Sequence, residues 1–228
     1  MGDIVEFPSN GSTGQGYLAT PEAGAGPGLI VIQEYWGLVD HIKDVCDRFA
    51  AEGFTALAPD LFRSETTTEP DEAGKLMMAL NLDQAGRDMG GSVDFLRGHD
   101  AVRGEGVGVT GFCMGGGLAL VLATQRPGDI AACVPFYGVI PWEDAQPDWS
   151  ALSAPVQGHF AEKDEFFSPD KVAALERTLA DLGKDVEFFM YADAEHAFFN
   201  DTRPEVHDEE AAHQAWNRTL SFLRSHLG

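Results

Sequence analysis

The sequence predicts an α/β protein: a three-layer sandwich with helices on both faces of a mostly parallel central sheet. Three observations carry this. Continuous apolar runs at 28–33 (GLIVIQ), 106–112 (GVGVTGF) and 130–137 (IAACVPFY) read as strands buried on both faces. Between them lie segments long enough for helices, and such alternation builds parallel sheets. The chain has 228 residues, 44% of them hydrophobic, which suits one large domain over 1–228 with a sizeable core.

Residues 3–7 and 15–20 read as short strands around the turn Ser9-Asn10-Gly11. After strand 28–33, Asp40 offers an N-cap for a helix to about residue 52, ended by Gly53. Residues 54–58 form the next strand, stopped at Pro59-Asp60. Residues 69–81 and 83–97 read as helical, although Gly86, Gly90 and Gly91 weaken the second. Strand 106–112 leads into a helix over 114–125, with Pro127 beyond its end. Strands follow at 130–137 and 156–160, then a helix at 169–182 and a last strand at 186–191. The final helix is expected over 205–227, with Val206, Trp216, Leu220, Leu223 and Leu227 apolar. Sheets of this kind bind ligands beyond the C-terminal ends of their strands. That points to 33–34, 59–61, 112–113 and the segments after 160 and 191.

The charge balance narrows the function. The chain carries 37 acidic and 15 basic residues, a net charge of −22. Such a surface repels phosphate backbones, so nucleic acid is not an expected partner. No apolar run reaches the roughly 18 residues of a membrane helix, so no membrane partner is expected. Residues 1–7 include Asp3 and Glu6 and lack the pattern of a secretory signal. Cys46, Cys113 and Cys133 are too few and too odd in number for a disulfide framework. A reducing cytoplasm is the expected setting, where a free thiolate can act.

Gly111-Phe112-Cys113-Met114-Gly115 joins a buried strand to a helix. It has the form of the G-x-S-x-G nucleophile elbow, with Cys in place of Ser. The reason is steric: a nucleophile on a tight strand-to-helix turn needs glycine two residues before and two after. Gly116 and Gly117 let the helix approach the sheet. The helix N-terminus behind Cys113 favours a thiolate and an oxyanion, and the Met114 amide would form half of an oxyanion hole. The plainer reading of any one cysteine is core packing. That reading is kept for Cys46, within a helix, and Cys133, within an apolar strand.

A hydrolase of the α/β-hydrolase fold presents nucleophile, acid and histidine in that order. Asp164 follows the strand at 156–160, and His196 follows the strand at 186–191. His196 would take the proton from the nucleophile and return it to the leaving group, while Asp164 would orient the ring. Glu162 and Asp170 are the rival acids. His41, His99, His207, His213 and His226 are expected on helix surfaces or loops, solvated. His159 reads as a satisfied near-core residue or a pocket wall. His207 and His213 lie six apart, the wrong spacing for one helix face, so no zinc site is expected. The chemistry requires no metal or organic cofactor.

With these residues placed, the chain resembles the dienelactone hydrolase (carboxymethylenebutenolidase) family over nearly its whole length. The resemblance is carried by Gln33-Glu34-Tyr35-Trp36-Gly37, Ala58-Pro59-Asp60-Leu61-Phe62, Gly108-Val109-Thr110-Gly111-Phe112-Cys113-Met114-Gly115-Gly116, Glu162-Lys163-Asp164 and His196-Ala197-Phe198. It implies the same roles for Cys113, Asp164 and His196. It adds Glu34, which in this family pairs with the thiol and is freed by substrate to take its proton. Glu34 ends a buried strand, where an unpaired charge is costly; a carboxylate held by backbone donors is the plainer account. The Tyr35 amide would complete the oxyanion hole.

The resemblance also implies arginines that hold a substrate carboxylate. Arg203, seven residues after His196, lies near the place of one, with Trp36 as a further substrate contact. A surface arginine at a helix start is the alternative. A second arginine is missing: residues 69–75 carry none, and Arg63 lies outside the matching place. The expected partner is a small-molecule lactone or ester, and the expected state a monomer or homodimer. Two other functions fit the scaffold: a general carboxylesterase or thioesterase, and a non-catalytic small-molecule binding protein. The full set of Cys113, Asp164, His196 and Glu34 argues against the last.

Overall fold

The apolar runs become strands because both of their faces are covered. In the computed structural model, which describes residues 2–140, 142 and 146–228, eight strands share one sheet. They are β1 (Asp3–Ser9), β2 (Ser12–Ala19), β3 (Gly26–Ile32), β4 (Thr55–Pro59), β5 (Val102–Phe112), β6 (Ile130–Phe136), β7 (Val156–Ala161) and β8 (Val186–Tyr191). Their order is β1-β2-β4-β3-β5-β6-β7-β8. β1 and β2 pair antiparallel, and β2 meets β4 antiparallel; every pairing from β4 to β8 is parallel. Leu29 to Ile32 and Ala56 to Ala58 have no exposed surface, as expected of strands covered on both sides. This is the α/β-hydrolase fold.

Among the described residues six α-helices cover the sheet: α1 (Asp40–Ala51), α2 (Pro70–Ala79), α3 (Leu82–Arg97), α4 (Met114–Gln125), α5 (Pro169–Asp181) and α6 (Glu209–Leu227). Glycines in β5 show how the two layers sit. A methyl group at Gly108 would meet Leu223 and Leu227 of α6. At Gly111, of opposite parity along the strand, it would meet the backbone of α4. α1 lies beside α6, with the Phe49 and Trp216 ring centroids 4.4 Å apart. Among the described residues, no helix is long and apolar enough to cross a membrane.

Several boundaries differ from those the sequence predicts, and three of the shifts have a visible cause. Asp40 is not the cap of α1: Val39 holds that position, and the Asp40 carboxylate pairs with Lys43 at 3.1 Å. α6 starts at Glu209 rather than 205, because Asp208 accepts a hydrogen bond from the Ala211 amide and caps it. β5 starts at Val102, because Val102 and Arg103 pair with Gly26 and Pro27 before a register shift. The exposed Arg103-Gly104-Glu105 stretch conceals that extension in the sequence.

The parallel strands deliver their C-terminal ends to one edge. Glu34 follows β3, Cys113 follows β5, Tyr137 follows β6, Asp164 follows β7 and His196 follows β8. Arg63 takes no part there; it makes two bonds to the buried Asp88, at 3.1 and 3.0 Å.

The approach of α4 to the sheet leaves no room for side chains. A methyl group at Gly115 would collide with the carbonyl oxygens of Ile32 and Gln33, the latter at 2.5 Å. Gly115→Ala should therefore cost roughly 2–3 kcal/mol of overpacking and lower the melting midpoint by roughly 5–10 °C. Gly128→Ala, which opens into free space, should leave it unchanged. Equal midpoints for the two variants in thermal denaturation would contradict this close approach.

Candidate active site

Cys113 caps the N-terminus of α4 with φ 55° and ψ −120°. Such a conformation is strained for a residue with a side chain. Its surroundings impose it. The Cys113 amide donates to Phe136 O at 3.1 Å, and the Gly116 amide donates to Cys113 O at 2.9 Å. A methyl group at Gly138 would collide with that same carbonyl. Cys113 is 8% exposed and is a free thiol, as are Cys46 and Cys133 in the core. Met114 opens α4, so its amide belongs to the first turn, whose donors have no partner within the helix. The helix dipole adds positive potential at the sulfur.

Asp164 and His196 meet across two loops. Asp164 Oδ1 accepts the amides of Phe166 at 2.8 Å and Phe167 at 2.9 Å. Its Oδ2 lies 2.7 Å from His196 Nδ1. Facing a carboxylate, Nδ1 carries the proton, which leaves Nε2 for proton exchange. The loops are fastened to each other: the amides of Glu162 and Lys163 donate to Tyr191 O and Ala194 O at 3.0 and 2.9 Å. The rival acids are engaged elsewhere. Glu162 accepts the Asp193 amide at 3.0 Å, and Asp170 lies in the first turn of α5.

Burial opposes a charge on the His196 ring. The charge of Cys113 and the hydrogen-bonded Asp164 outweigh it, and the pKa is pushed up to about 10. The ring thus favours the imidazolium when a thiolate stands beside it. A raised pKa stabilises the protonated form. The contribution to folding is complete below the unfolded value near 6.5 and is lost as pH rises through about 10.

Glu34 is 1% exposed. Its partners are side chains, not backbone donors. Asn200 Nδ2 donates to Oε2 at 2.9 Å, and the Tyr137 hydroxyl donates to Oε1 at 3.4 Å. Burial raises the pKa of Tyr137 well above the phenolic value, and the charges of Glu34 and Cys113 raise it further. Tyr35 is raised by burial, then by Cys113 and Glu34, with Arg203 pulling the other way. One electrostatic neighbourhood therefore holds Glu34, Cys113, Tyr35, Tyr137 and Arg203.

Arg203 stands on a ridge between two clefts. One, of about 660 Å³, includes Asp164, Phe166, His196 and Val206. The other, of about 620 Å³, includes Trp36, Lys43, the three threonines at 66–68 and Asn200. Both volumes suit a small-molecule site. The Arg203 guanidinium lies 5.7 Å from the centre of the Trp36 ring and pairs with Glu205 at 2.9 Å. Trp36 is buried against Tyr35, with ring centroids 4.4 Å apart. A groove of about 670 Å³ beside Gly86, Gly90 and Arg126 holds none of these groups.

All eight sequence-derived site residues gather at this edge: Cys113, Asp164, His196, Glu34, Tyr35, Met114, Arg203 and Trp36. Sequence reasoning missed Asn200, Tyr137 and Phe166. Asn200 follows the Phe198-Phe199 pair, and no local pattern marks it. Tyr137 reads as the end of a strand but has φ 35° and lies just beyond it. Phe166 covers the His196 ring at 5.0 Å between centroids. The other histidines divide. His213 and His226 are exposed, while His207 is half-buried against Phe198 O. His41 is buried, contrary to expectation, because the inward face of α1 turns it onto the Phe112 ring. His159 is buried between the hydroxyls of Tyr191 and Thr219, and burial lowers its pKa to about 3. Among the described residues no cluster of His, Cys, Asp and Glu is arranged to hold a metal ion.

The dienelactone hydrolase family model matches residues 15–227. The chain belongs to the dienelactone hydrolase family. It is 42% identical to "Protein usf" of Aquifex pyrophilus, with 100% of both chains covered. It is 38% identical to a "Putative carboxymethylenebutenolidase" of Aquifex aeolicus, again with 100% of both covered. The crystal structure of a "Putative Dienelactone Hydrolase" from Klebsiella pneumoniae is 28% identical, with a TM-score of 0.89 over 98% of each chain.

The charge coupling between His196 and Cys113 is measurable in this family member without a substrate. The His196 ring, followed by NMR, should remain protonated at pH 8. Cys113→Ala should bring its midpoint down toward the ordinary value of about 6.5. Identical titrations in the two proteins would show that the sulfur and the ring do not sense each other.

Proposed function

We propose that the protein is a cysteine-dependent hydrolase of lactones or small carboxylic esters, acting through an acyl-cysteine. One observation carries the reading: the charge-stabilised His196 is bonded to Asp164 at 2.7 Å and is coupled to Cys113 at a helix N-terminus. Membership of the dienelactone hydrolase family supports the substrate class, as does the name "Putative carboxymethylenebutenolidase" of the Aquifex aeolicus relative.

In this scheme Glu34 is the first acceptor of the thiol proton and hands it to a neutral His196, and the thiolate–imidazolium pair so formed is the state that persists without substrate. The thiolate attacks the carbonyl carbon, a C–S bond forms, and the displaced electron pair moves to oxygen. The amides of Met114 and Tyr35 receive that oxyanion. Collapse breaks the C–O bond, and the departing alkoxide takes the proton from His196. In a lactone the alcohol stays tethered to the acyl group. His196 then removes a proton from water, the hydroxide attacks the thioester, and the thiolate leaves. A hydroxy acid or an acid–alcohol pair results. Asp164 keeps the ring in the tautomer this sequence requires. The whole chain would act as one domain. A catalytic thiol suits a reducing compartment such as the cytoplasm.

A panel of lactones and aryl esters tests the reading. Cys113→Ala should abolish hydrolysis while keeping the melting midpoint, and Cys113→Ser should work poorly because a hydroxyl is harder to activate. Near wild-type turnover by Cys113→Ala would falsify the proposal.

Arg203 is proposed to hold a substrate carboxylate, releasing Glu205 to do so. A charge-assisted bidentate contact is worth roughly 1.5–3 kcal/mol, or about ten- to a hundred-fold in affinity. The net charge of −22 opposes an anionic substrate, so added salt should assist its capture. The comparison is kcat/KM for the acid and the methyl ester of one lactone, in wild type and Arg203→Ala, at two salt concentrations. If wild type prefers the neutral ester and Arg203→Ala changes nothing, Arg203 is a surface residue.

A further inference from the structure

Asn200 is 2% exposed and lies four residues after His196. Its amide is fixed from both ends. Oδ1 accepts the Thr202 backbone N–H at 3.1 Å and the Thr202 hydroxyl at 2.6 Å. Nδ2 faces Glu34 Oε2 at 2.9 Å. A flipped amide would set oxygen against a carboxylate and NH₂ against two donors, so only one orientation satisfies every atom. The backbone is tied too: the Asn200 N–H donates to Ala197 O at 2.9 Å, and its carbonyl accepts from Arg203 N at 3.1 Å. Asn200 therefore closes the turn between His196 and Arg203 and reaches across to the end of β3.

Glu34 has one short bond, from Asn200, and one long bond, from Tyr137. Without Asn200, a buried carboxylate would keep only the long contact and be free to turn. The charges of Glu34 and Cys113 both bear on the Tyr137 hydroxyl, so the carboxylate and the sulfur lie within electrostatic reach of one group. Glu34 and Cys113 also leave adjacent strand ends, β3 and β5, where the first turn of α4 packs against the Gln33 carbonyl, so the position of Glu34 bears on how a thiolate forms.

We propose that Asn200 is a positioning residue: its amide fixes the Glu34 carboxylate and thereby sets how readily Cys113 loses its proton. In that step the S–H bond breaks, its electron pair stays on sulfur, and the proton passes to a Glu34 oxygen. The proposal rests on Glu34 being the first acceptor, and it adds the residue that holds Glu34 in place.

Two variants separate this role from a purely structural one. Asn200→Asp keeps the Oδ1 that serves Thr202 but sets a second carboxylate oxygen against Glu34. Asn200→Ala removes the donor. The first readout needs no substrate: the pH profile of Cys113 alkylation by iodoacetamide, with the modified site located by mass spectrometry. Cys46 and Cys133 have no exposed surface, so Cys113 is the thiol that reports. The second readout is kcat and KM on an aryl ester, repeated in a Glu34→Gln background, with melting midpoints throughout.

Asn200→Asp should shift the alkylation profile to higher pH by about one unit, equivalent to a roughly tenfold slower reaction at fixed pH. Both variants should lower kcat by about tenfold or more with KM within about twofold, because the bond orients a reacting group rather than the substrate. In Glu34→Gln, Asn200→Ala should change kcat less than about twofold, since its target is already removed. Alkylation profiles that superimpose on wild type, or losses that multiply with Glu34→Gln, would overturn the proposal. So would loss of folding in both variants, which would assign Asn200 to the turn alone. If Asn200→Ala alone fails to fold, Asn200→Asp decides. Hydrolysis surviving Cys113→Ala would defeat the nucleophile assignment instead, and the alkylation profile would still answer for Asn200.

Discussion

The backbone crowding around Cys113 is the constraint on which the rest depends. The ends of β3, β5 and β6 and the first turn of α4 approach so closely that no Cβ fits at Gly111, Gly115 or Gly138. Within that space the chain can pass from strand to helix only by a turn at positive φ, and the residue at the turn has its side chain directed away from the crowd. The same crowding puts the first amides of α4 beside the sulfur. Strain at one residue, of roughly 1–3 kcal/mol, is sustained because the contacts that impose it belong to four separate elements.

Electrostatics at the site run against the character of the surface. The chain has a net charge of −22, yet the site stabilises a positive charge on His196. It does so with a carboxylate whose other oxygen is held by two amides, so Asp164 keeps its orientation whatever the ring does. Surface carboxylates are screened by solvent and salt and contribute little at this distance. Glu34 is managed differently. It is buried with neutral donors, the Asn200 amide and the Tyr137 hydroxyl, rather than with a cation.

Most of the architecture was legible in the sequence, because the parallel strands are covered on both faces and so appear as unbroken apolar runs. The helix over 114–125 and the strand over 186–191 match α4 and β8. Errors fell where a local rule competed with a tertiary one. Asp40 has the chemistry of a cap, but the chain enters α1 one residue earlier. Solvent was expected around His41 because a polar residue in a helix is usually exposed. Its neighbours on that face of α1, Ile42 and Val45, are buried, and they take it with them. In the site, residues announced by a motif were visible and those defined by a partner were not. Nothing in the letters Phe198-Phe199-Asn200 says that a glutamate 166 positions earlier waits for the amide. Tyr137 was hidden for another reason: an aromatic residue at the end of an apolar run reads as strand, and only its positive φ takes it out of the ladder.

The positive-φ residues other than glycine are Asn10, Arg63, Ser64, Cys113, Tyr137, Asp193 and Ala197 among the described residues. Four of them, Cys113, Tyr137, Asp193 and Ala197, ring the active edge, and the two last flank His196. This distribution separates two routes to a hardier protein. Cys113 is the proposed nucleophile and Tyr137 bonds to Glu34, so their strain belongs to the site. Asp193 is exposed, and among the described residues its carboxylate pairs only with the exposed Lys163. A glycine there would relax the loop without touching any reacting group. An engineer seeking heat tolerance would begin at that turn, where the molecule's resilience and its reactivity are not yet bound to the same atom.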